Sequence, residues 1–153
     1  MKRVDISQVA YSVPFDNDMN GFSATDVQNA IEEVSALITG KPRAIIGFAY
    51  NGTANTGKYL ETFASIPSNE VPFITAEPGK VKALSLVNSV SGTATVTLFK
   101  NGVSLQTISI TAQMYNTIAD LTHTIVTGDS LSAQVTSGSM SKPALFVSLE
   151  IDL

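Results

Sequence analysis

Most of the chain, from residue 43 onward, alternates between apolar and polar positions with the period of two that β-strands show. Clusters of Gly, Pro, Asn, Asp and Ser, which favour turns, separate the alternating stretches. No stretch among them has the pattern of a helical crossover, so a parallel sheet is not expected. The pattern predicts about eight or nine antiparallel strands in a β-sandwich, or jelly roll, over residues 43–153. The predicted strands are residues 44–50, 59–66, 71–75, 80–88, 93–100, 103–111, 117–126, 131–136 and 144–153.

The strongest turn signal in the chain is the pair Asn101 and Gly102, which lies between two alternating stretches. Both residue types tolerate positive φ, so the pair favours a two-residue type I′ turn. The sequence therefore predicts a β-hairpin here. Two further turn signals, at residues 128–129 and 137–138, are predicted to separate the later strands.

A single helix is predicted over residues 23–39. Ser23 is a favourable N-cap, and Gly40 followed by Pro42 ends the helix, so residues 23–42 form a helix and hinge. Apolar residues recur along it with a spacing of four, three and four, which places them on one face. These residues are Val27, Ile31, Val34 and Ile38.

Two interpretations of this apolar stripe remain open, because periodicity does not separate them. The stripe packs on the β domain of its own chain, or it forms a short coiled coil between subunits, with Ile and Val at the core positions. Such a coiled coil is too short to be stable alone and needs the β domain to contribute. We take Val27, Ile31, Val34 and Ile38 as the candidate oligomerisation residues.

Residues 1–22 are predicted to form an extended arm. Pro14 and a run of turn formers at 16–21 disfavour a helix. Part of the arm alternates in the manner of a strand but has no partner strand nearby in sequence, so it must pair or pack elsewhere, for example on another subunit. The alternating residues are Val9, Tyr11, Val13 and Phe15.

The composition of the chain excludes or disfavours several classes of protein. The chain has no Cys and one His, which excludes disulfide scaffolds and thiolate zinc sites and disfavours multi-histidine metal sites. Its net charge is −4 and it has no basic cluster, so nucleic acid is not an expected partner. No apolar run approaches the roughly 18 residues of a membrane span, and no secretory signal follows the basic residues at the N-terminus, so no membrane association is expected.

Candidate catalytic and metal residues have simpler explanations. Alternation puts His123 on the face of Leu121 and Ile125, as a packed or interface histidine; a three-histidine cluster in a trimer is the open alternative. Asp16, Asp18 and Asn20 have calcium-loop spacing, but Val27 stands where the bidentate Glu is required, so a turn is favoured. No Gly-x-Ser-x-Gly motif occurs. We therefore expect no enzyme activity, no catalytic residue, no metal site and no cofactor.

Residues 13–33 run Val-Pro-Phe-Asp-Asn-Asp-Met-Asn-Gly-Phe-Ser-Ala-Thr-Asp-Val-Gln-Asn-Ala-Ile-Glu-Glu. This segment resembles a short motif of tailed-bacteriophage fibre and virion proteins: an acidic and Asn-rich turn, Gly-Phe, then Thr-x-Val-Gln-x-Ala-Ile-Glu. Residues 58–151 resemble the C-terminal jelly-roll modules of phage fibres and bacterial collagen-like surface proteins, which are similar to the trimeric tumour-necrosis-factor-like fold. Segments 68–73, 99–103, 128–132 and 135–138 carry this second resemblance.

The resemblance implies a structural protein located in the virion, a homotrimer whose partners are capsid or other virion proteins. The arm, with Val9, Tyr11, Val13 and Phe15, would attach to the particle, and the β domain would face outward. A single helical motif and the absence of collagen-like repeats favour a capsid decoration or a short head or neck fibre over a long tail fibre. The alternative is a receptor- or carbohydrate-binding adhesin tip, with a host-surface glycan as its partner. The aromatic residues pack in the core or at subunit interfaces, unless one of them is exposed for recognition.

Overall fold

The computed structural model describes residues 26–38, 41–62 and 65–152. The chain divides into two compact units, residues 1–40 and 41–153. The predicted arm, including Val9, Tyr11, Val13 and Phe15, lies outside the described residues, as do Ser23 and Gly40.

The first unit contains the helix α1, Val27–Ile38. Its N-cap is Asp26 rather than the expected Ser23. The carboxylate of Asp26 accepts the backbone N–H of Asn29 at 2.9 Å, which satisfies one of the free amides of the first turn. The side-chain amide of Asn29 donates a second hydrogen bond to Asp26 at 2.7 Å.

The second unit consists of eight β-strands connected by turns. They are β1 (Arg43–Ala49), β2 (Thr53–Asn55), β3 (Phe73–Ile74), β4 (Gly79–Lys100), β5 (Val103–Ile118), β6 (His123–Ile125), β7 (Ser130–Ser141) and β8 (Ala144–Ile151). All pairings between these strands are antiparallel. The predicted class, a mainly β antiparallel sandwich with one short helix, is confirmed.

The two longest strands, β4 and β5, bend and pass through both layers of the sandwich. In the first layer, residues 79–87 of β4 pair with β8 on one side and with β6 and the end of β5 on the other, and β1 adds to β8. In the second layer, residues 94–100 of β4 pair with β7 and the start of β5, and β2 and β3 add to β7. The orders β1-β8-β4-β5 and β2-β7-β4-β5 are those of a jelly roll.

Alternating side chains from both layers form one core. Leu84 and Leu86 of β4 and Leu145 and Val147 of β8 face it from the first layer, and all four are fully buried. The second layer contributes a comparable set: Ala94, Val96, Leu98, Ile108, Ile110, Leu131, Ala133 and Val135. Burial of this apolar surface is the dominant favourable contribution to the stability of the sandwich.

The turn between β4 and β5 has the predicted conformation. Asn101 and Gly102 have φ values of 52° and 77°, as a type I′ turn requires. The bend in β4 is held by Asn88, which is buried. Its side chain donates to the carbonyl of Val90 and accepts the N–H of Ser141, each at 2.7 Å.

Several expectations about individual strands were wrong. The predicted strand 117–126 is interrupted, because β5 ends at Ile118 and β6 covers only His123–Ile125, and the predicted strands 80–88 and 93–100 are parts of one strand, β4. The described part of residues 59–66 forms only isolated bridges, at Tyr59 and Glu61. The turn signal at 137–138 is an irregularity inside β7, because Gly138 adopts a φ of 77° without ending the strand. The short strand β2 was not predicted.

Candidate functional site

The residues of the predicted oligomerisation stripe on α1 differ in their exposure to solvent. Ile31 is 55% exposed, whereas Val27 and Val34 are half-buried and Ala30 is buried. The side chain of Ile38 lies outside the described residues. Among the stripe residues whose side chains the structure describes, Ile31 is thus the most exposed.

The outer surface of the first layer is built from three rows of side chains that lie side by side across the strands. Residues paired across an antiparallel sheet point to the same face, so the register defines each row. The first row is Ile45, Ser148 and Ala83; the second is Gly47, Phe146, Ser85 and Thr117; the third is Ala49, Ala144, Val87 and Tyr115. None of these side chains is charged, and we call this surface the uncharged face.

Large apolar and aromatic side chains on the uncharged face are open to solvent. Ile45 is 74% exposed and Tyr115 is 71% exposed. Phe146 lies beside Gly47, where a Cβ would approach its ring to 3.7 Å, so the ring covers glycine backbone and still leaves 44% of its own surface exposed. The only side-chain hydrogen bond assigned within this face among the described residues joins Ser85 and Thr117, at 3.1 Å.

The outer surface of the second layer has the opposite character. It carries hydroxyl and amide side chains, of which Thr97 is buried beneath its neighbours: Thr95, Thr97, Thr107, Ser109, Ser132, Gln134 and Thr136. We call it the hydroxyl face. Its hydroxyls bond one another, with Thr95 and Ser109 at 2.8 Å and Thr97 and Thr136 at 2.9 Å.

A charged row flanks the uncharged face at one end. Arg43 pairs with Glu150 in the register and Glu150 pairs with Lys80, so the charge alternates across three strands. Nearby, Lys41 donates to the carboxylate of Asp152. This hydrogen bond lowers the pKa of Asp152 and raises that of Lys41, because each partner stabilises the charged form of the other.

A second polar cluster surrounds Asp129, which is buried between the β4–β5 and β6–β7 turns. Its carboxylate accepts the N–H of Val126 at 2.8 Å, the side-chain amide of Asn101 at 2.6 Å and the ammonium of Lys100 at 3.1 Å. These donors lower the pKa of Asp129, the Val126 N–H most strongly. Thr75 extends the cluster, because its hydroxyl bonds the carbonyl of Val126 at 2.6 Å. The cluster therefore holds the β4–β5 and β6–β7 turns together through hydrogen bonds.

His123, the one histidine, lies half-buried on the face shared with Leu121 and Ile125, as the alternation predicted. Its Nε2 lies 2.9 Å from Oε1 of Gln106. Of the two acids nearest to His123 in sequence, Asp129 belongs to the cluster above and Asp120 is exposed. The contact with Gln106 shows that His123 packs within its own chain, and the three-histidine cluster in a trimer stays a prediction.

Within residues 26–38, 41–62 and 65–152, no three His, Asp or Glu side chains are grouped so that they would hold a metal ion. The one helix described there is also too short to cross a membrane.

Sequence reasoning missed the uncharged face, although two segments carry its signal. Residues 44–49 of β1 and 144–147 of β8 are continuous runs without a polar side chain, rather than alternating ones. A continuous run indicates a strand that is apolar on both faces. Only the register reveals that the outward positions of the two strands are neighbours.

Comparison with known proteins gives weak structural likeness only. No family model matches the chain, and no curated protein matches it. The catalytic domain of a GH87 α-1,3-glucanase in complex with nigerose shares 12% identity at a TM-score of 0.47; the match covers 74% of this chain but 29% of that one. A structure described as Bacillus endospore appendages, a novel family of disulfide-linked pili, shares 12% identity at a TM-score of 0.38, covering 73% of this chain and 91% of that one. The crystal structure of FLHE shares 10% identity at a TM-score of 0.36, covering 72% and 98% respectively.

Proposed function

We propose that this chain is a non-enzymatic structural protein of a bacteriophage virion. It is a homotrimer that decorates the capsid or forms a short head or neck fibre, attached through its N-terminal arm, with the β-sandwich displayed outward. The motif of residues 13–33 supports the virion assignment, and the jelly-roll strand order agrees with the trimeric modules that the second resemblance implies.

The observation that carries the proposal is the uncharged face. Monomeric soluble proteins rarely expose a large contiguous apolar patch, and such patches mark sites of association. Here three adjacent rows of the first layer's outer surface lack charged side chains and expose Ile45, Phe146 and Tyr115. A structural protein that functions by assembling with other subunits needs such a contact surface.

The polar clusters favour a structural role as well. Asp129 has its pKa lowered rather than raised toward neutrality, and its partners lie in the turns that it holds together or, for Lys100, at the end of β4. A general acid or base requires a pKa near the working pH and an approach for substrate. Asp129 is buried and meets neither requirement.

The first test is the solution mass of the purified full-length protein, measured by light scattering over a range of concentrations. We expect three times the chain mass of 16.1 kDa. A mass of one chain at every concentration would contradict the homotrimer.

The second test concerns attachment through the arm. Removing residues 1–20 should abolish cosedimentation with virions of the phage that encodes the protein, while the far-UV circular dichroism of the β-sandwich is kept. In the full chain, Tyr11→Asp should weaken cosedimentation, because Tyr11 belongs to the apolar alternation of the arm. Ser12→Asp, at the neighbouring polar position, is the matched control and should bind normally. Equal binding by all variants would contradict attachment through the arm.

A carbohydrate-binding adhesin is the second candidate, and one contact favours it. The rings of Tyr59 and Phe99 lie 6.3 Å apart, half-buried beside the hydroxyl face, where Tyr59 bridges to Gln134. An aromatic ring beside hydroxyl and amide groups is suited to stacking against a sugar. On a glycan array, Tyr59→Ala should lose binding and Tyr59→Phe should keep it. If the wild-type protein binds no glycan on the array, the adhesin function is contradicted and the structural role remains the proposal.

A further inference from the structure

We propose that Asn51, in the turn between β1 and β2, is a site of spontaneous deamidation, at which the side-chain amide becomes a carboxylate after the protein has folded. The sequence contains three Asn-Gly pairs, at residues 20–21, 51–52 and 101–102. The first pair lies outside the described residues, whereas Asn51 and Asn101 are both exposed in turns of the β unit. The contacts of these two side chains differ, and the difference selects Asn51.

An Asn-Gly pair supplies both reacting groups of the conversion. The backbone nitrogen of the glycine attacks the side-chain carbonyl carbon of the asparagine, a carbon–nitrogen bond forms, and the side-chain nitrogen leaves as ammonia with the proton of the glycine N–H. Solvent water then opens the five-membered succinimide at either carbonyl, which gives aspartate or, where the main-chain bond is broken, isoaspartate. Glycine permits the attack because it has no side chain to hinder its nitrogen and its backbone is unusually free.

The side chain of Asn101 is restrained against this reaction. Its amide nitrogen donates to Asp129 at 2.6 Å, and its amide oxygen accepts the N–H of Ser130 at 2.8 Å and the hydroxyl of Ser130 at 3.2 Å. Attack on the carbonyl carbon requires the amide to rotate, and rotation breaks these bonds, one of which is to a charged partner. The Asp129 cluster thus protects the pair at residues 101–102.

The side chain of Asn51 has no such restraint. Among residues 26–38, 41–62 and 65–152, no group forms a hydrogen bond with this side chain, and no acceptor takes the N–H of Gly52. Both reacting groups are therefore free to approach each other. Glycine also has a structural reason to follow Asn51, because a Cβ at position 52 would lie 3.0 Å from the ring of Tyr50.

The reaction changes a turn that is anchored on both sides of Asn51. The N–H of Tyr50 donates to the carbonyl of Pro143 at 3.0 Å, and the carbonyl of Gly52 accepts the N–H of Lys142 at 2.7 Å. Isoaspartate lengthens the main chain by one methylene between these two hydrogen bonds, and either product adds one negative charge. Each copy of the protein therefore acquires charge at the β1–β2 turn with age.

The test incubates the purified full-length protein in mildly alkaline buffer, which favours loss of the proton from the attacking amide, and follows each pair by mass spectrometry of tryptic peptides. Cleavage after Arg43 and after Lys58 separates the three pairs. In the folded protein, the peptide with Asn51 should convert at least about tenfold faster than the peptide with Asn101, because the second side chain must first lose its hydrogen bonds. In concentrated urea, where the fold is lost, the two should convert at similar rates.

Asn51→Gln is the matched control, since it keeps an amide at this position but places the carbonyl carbon one methylene farther from the backbone. Its peptide should keep its mass; continued conversion would assign the reaction to Asn55 in the same peptide and overturn the inference. Equal rates for Asn51 and Asn101 in the folded protein would overturn it as well. So would an Asn51 peptide that converts only in urea, because the folded turn would then protect the pair.

Discussion

At the scale of single residues, Gly79 shows how closely the strands of the first layer approach. It is buried at the start of β4, and a Cβ built on it would lie 2.1 Å from the carbonyl oxygen of Glu150 in β8. No side-chain rotation relieves such a contact, because its partner is backbone. Gly47, in β1, offers a comparison, since a Cβ there would meet only the ring of Phe146 at 3.7 Å, an ordinary contact.

We expect Gly79→Ala to destabilise the protein by about 1–3 kcal/mol, the cost of forcing extra volume into a packed site. Gly47→Ala should change the free energy of unfolding by less than about 1 kcal/mol, in the stabilising direction, because alanine restricts the unfolded chain. Urea unfolding followed by circular dichroism measures both values. Equal losses in the two variants would show that the close approach of β4 and β8 is not what requires glycine at position 79.

At the scale of elements, the Asp129 cluster fastens the ends of several strands. Asp129 bonds Asn101 in the β4–β5 turn and Val126 after β6, and Asn101 in turn accepts the N–H of Ser130 at 2.8 Å. The lowered pKa of Asp129 makes this contribution depend on pH. Ionised Asp129 stabilises the fold above its ordinary pKa, and the contribution is lost as pH falls through the lower pKa of the folded state.

Asp129→Asn should therefore lower the urea midpoint at pH 7, since the new amide presents N–H groups to donors that need an acceptor. The difference from wild type should shrink as the pH is lowered below the usual range of aspartate, where the wild-type carboxyl becomes protonated. Urea midpoints at pH 7 and at successively lower pH values test this. Asp120→Asn, at an exposed carboxylate, is the control and should follow the wild type at each pH. A constant gap for Asp129→Asn would contradict the role of the charge.

The alternation of the sequence was sufficient to predict most elements of the sandwich, because half-buried strands have a period of two. The Asn101–Gly102 turn was predicted in full, since positive φ at both positions is a local requirement. Residues 59–66 were misassigned for a non-local reason. Leu60 bonds the carbonyl of Ala133 in β7, and Glu61 bonds that of Ala49 in β1. The segment thus bridges two strands one residue at a time, and its own pattern does not encode that placement.

At the scale of the whole molecule, the uncharged face is a product of the strand order. Its rows unite residues more than 90 positions apart, such as Gly47 and Phe146, which become neighbours only because β1 pairs with β8. No local pattern in the sequence contains this information. The partition of charge, by contrast, can be counted directly along the chain, with the whole −4 before residue 41.

This partition predicts how salt acts on the assembly. The uncharged face itself contributes no ion pair that salt would screen to a contact, while the acidic N-terminal units repel at low ionic strength. Raising NaCl from about 0.05 M to about 0.5 M, which shortens the Debye length from more than 10 Å to less than 8 Å, should leave the dissociation constant of the full-length assembly unchanged or lower it. Sedimentation equilibrium at the two concentrations measures the change. A dissociation constant that rises with salt would instead assign the contact to the row of Arg43, Glu150 and Lys80, because only attraction between opposite charges is weakened by screening.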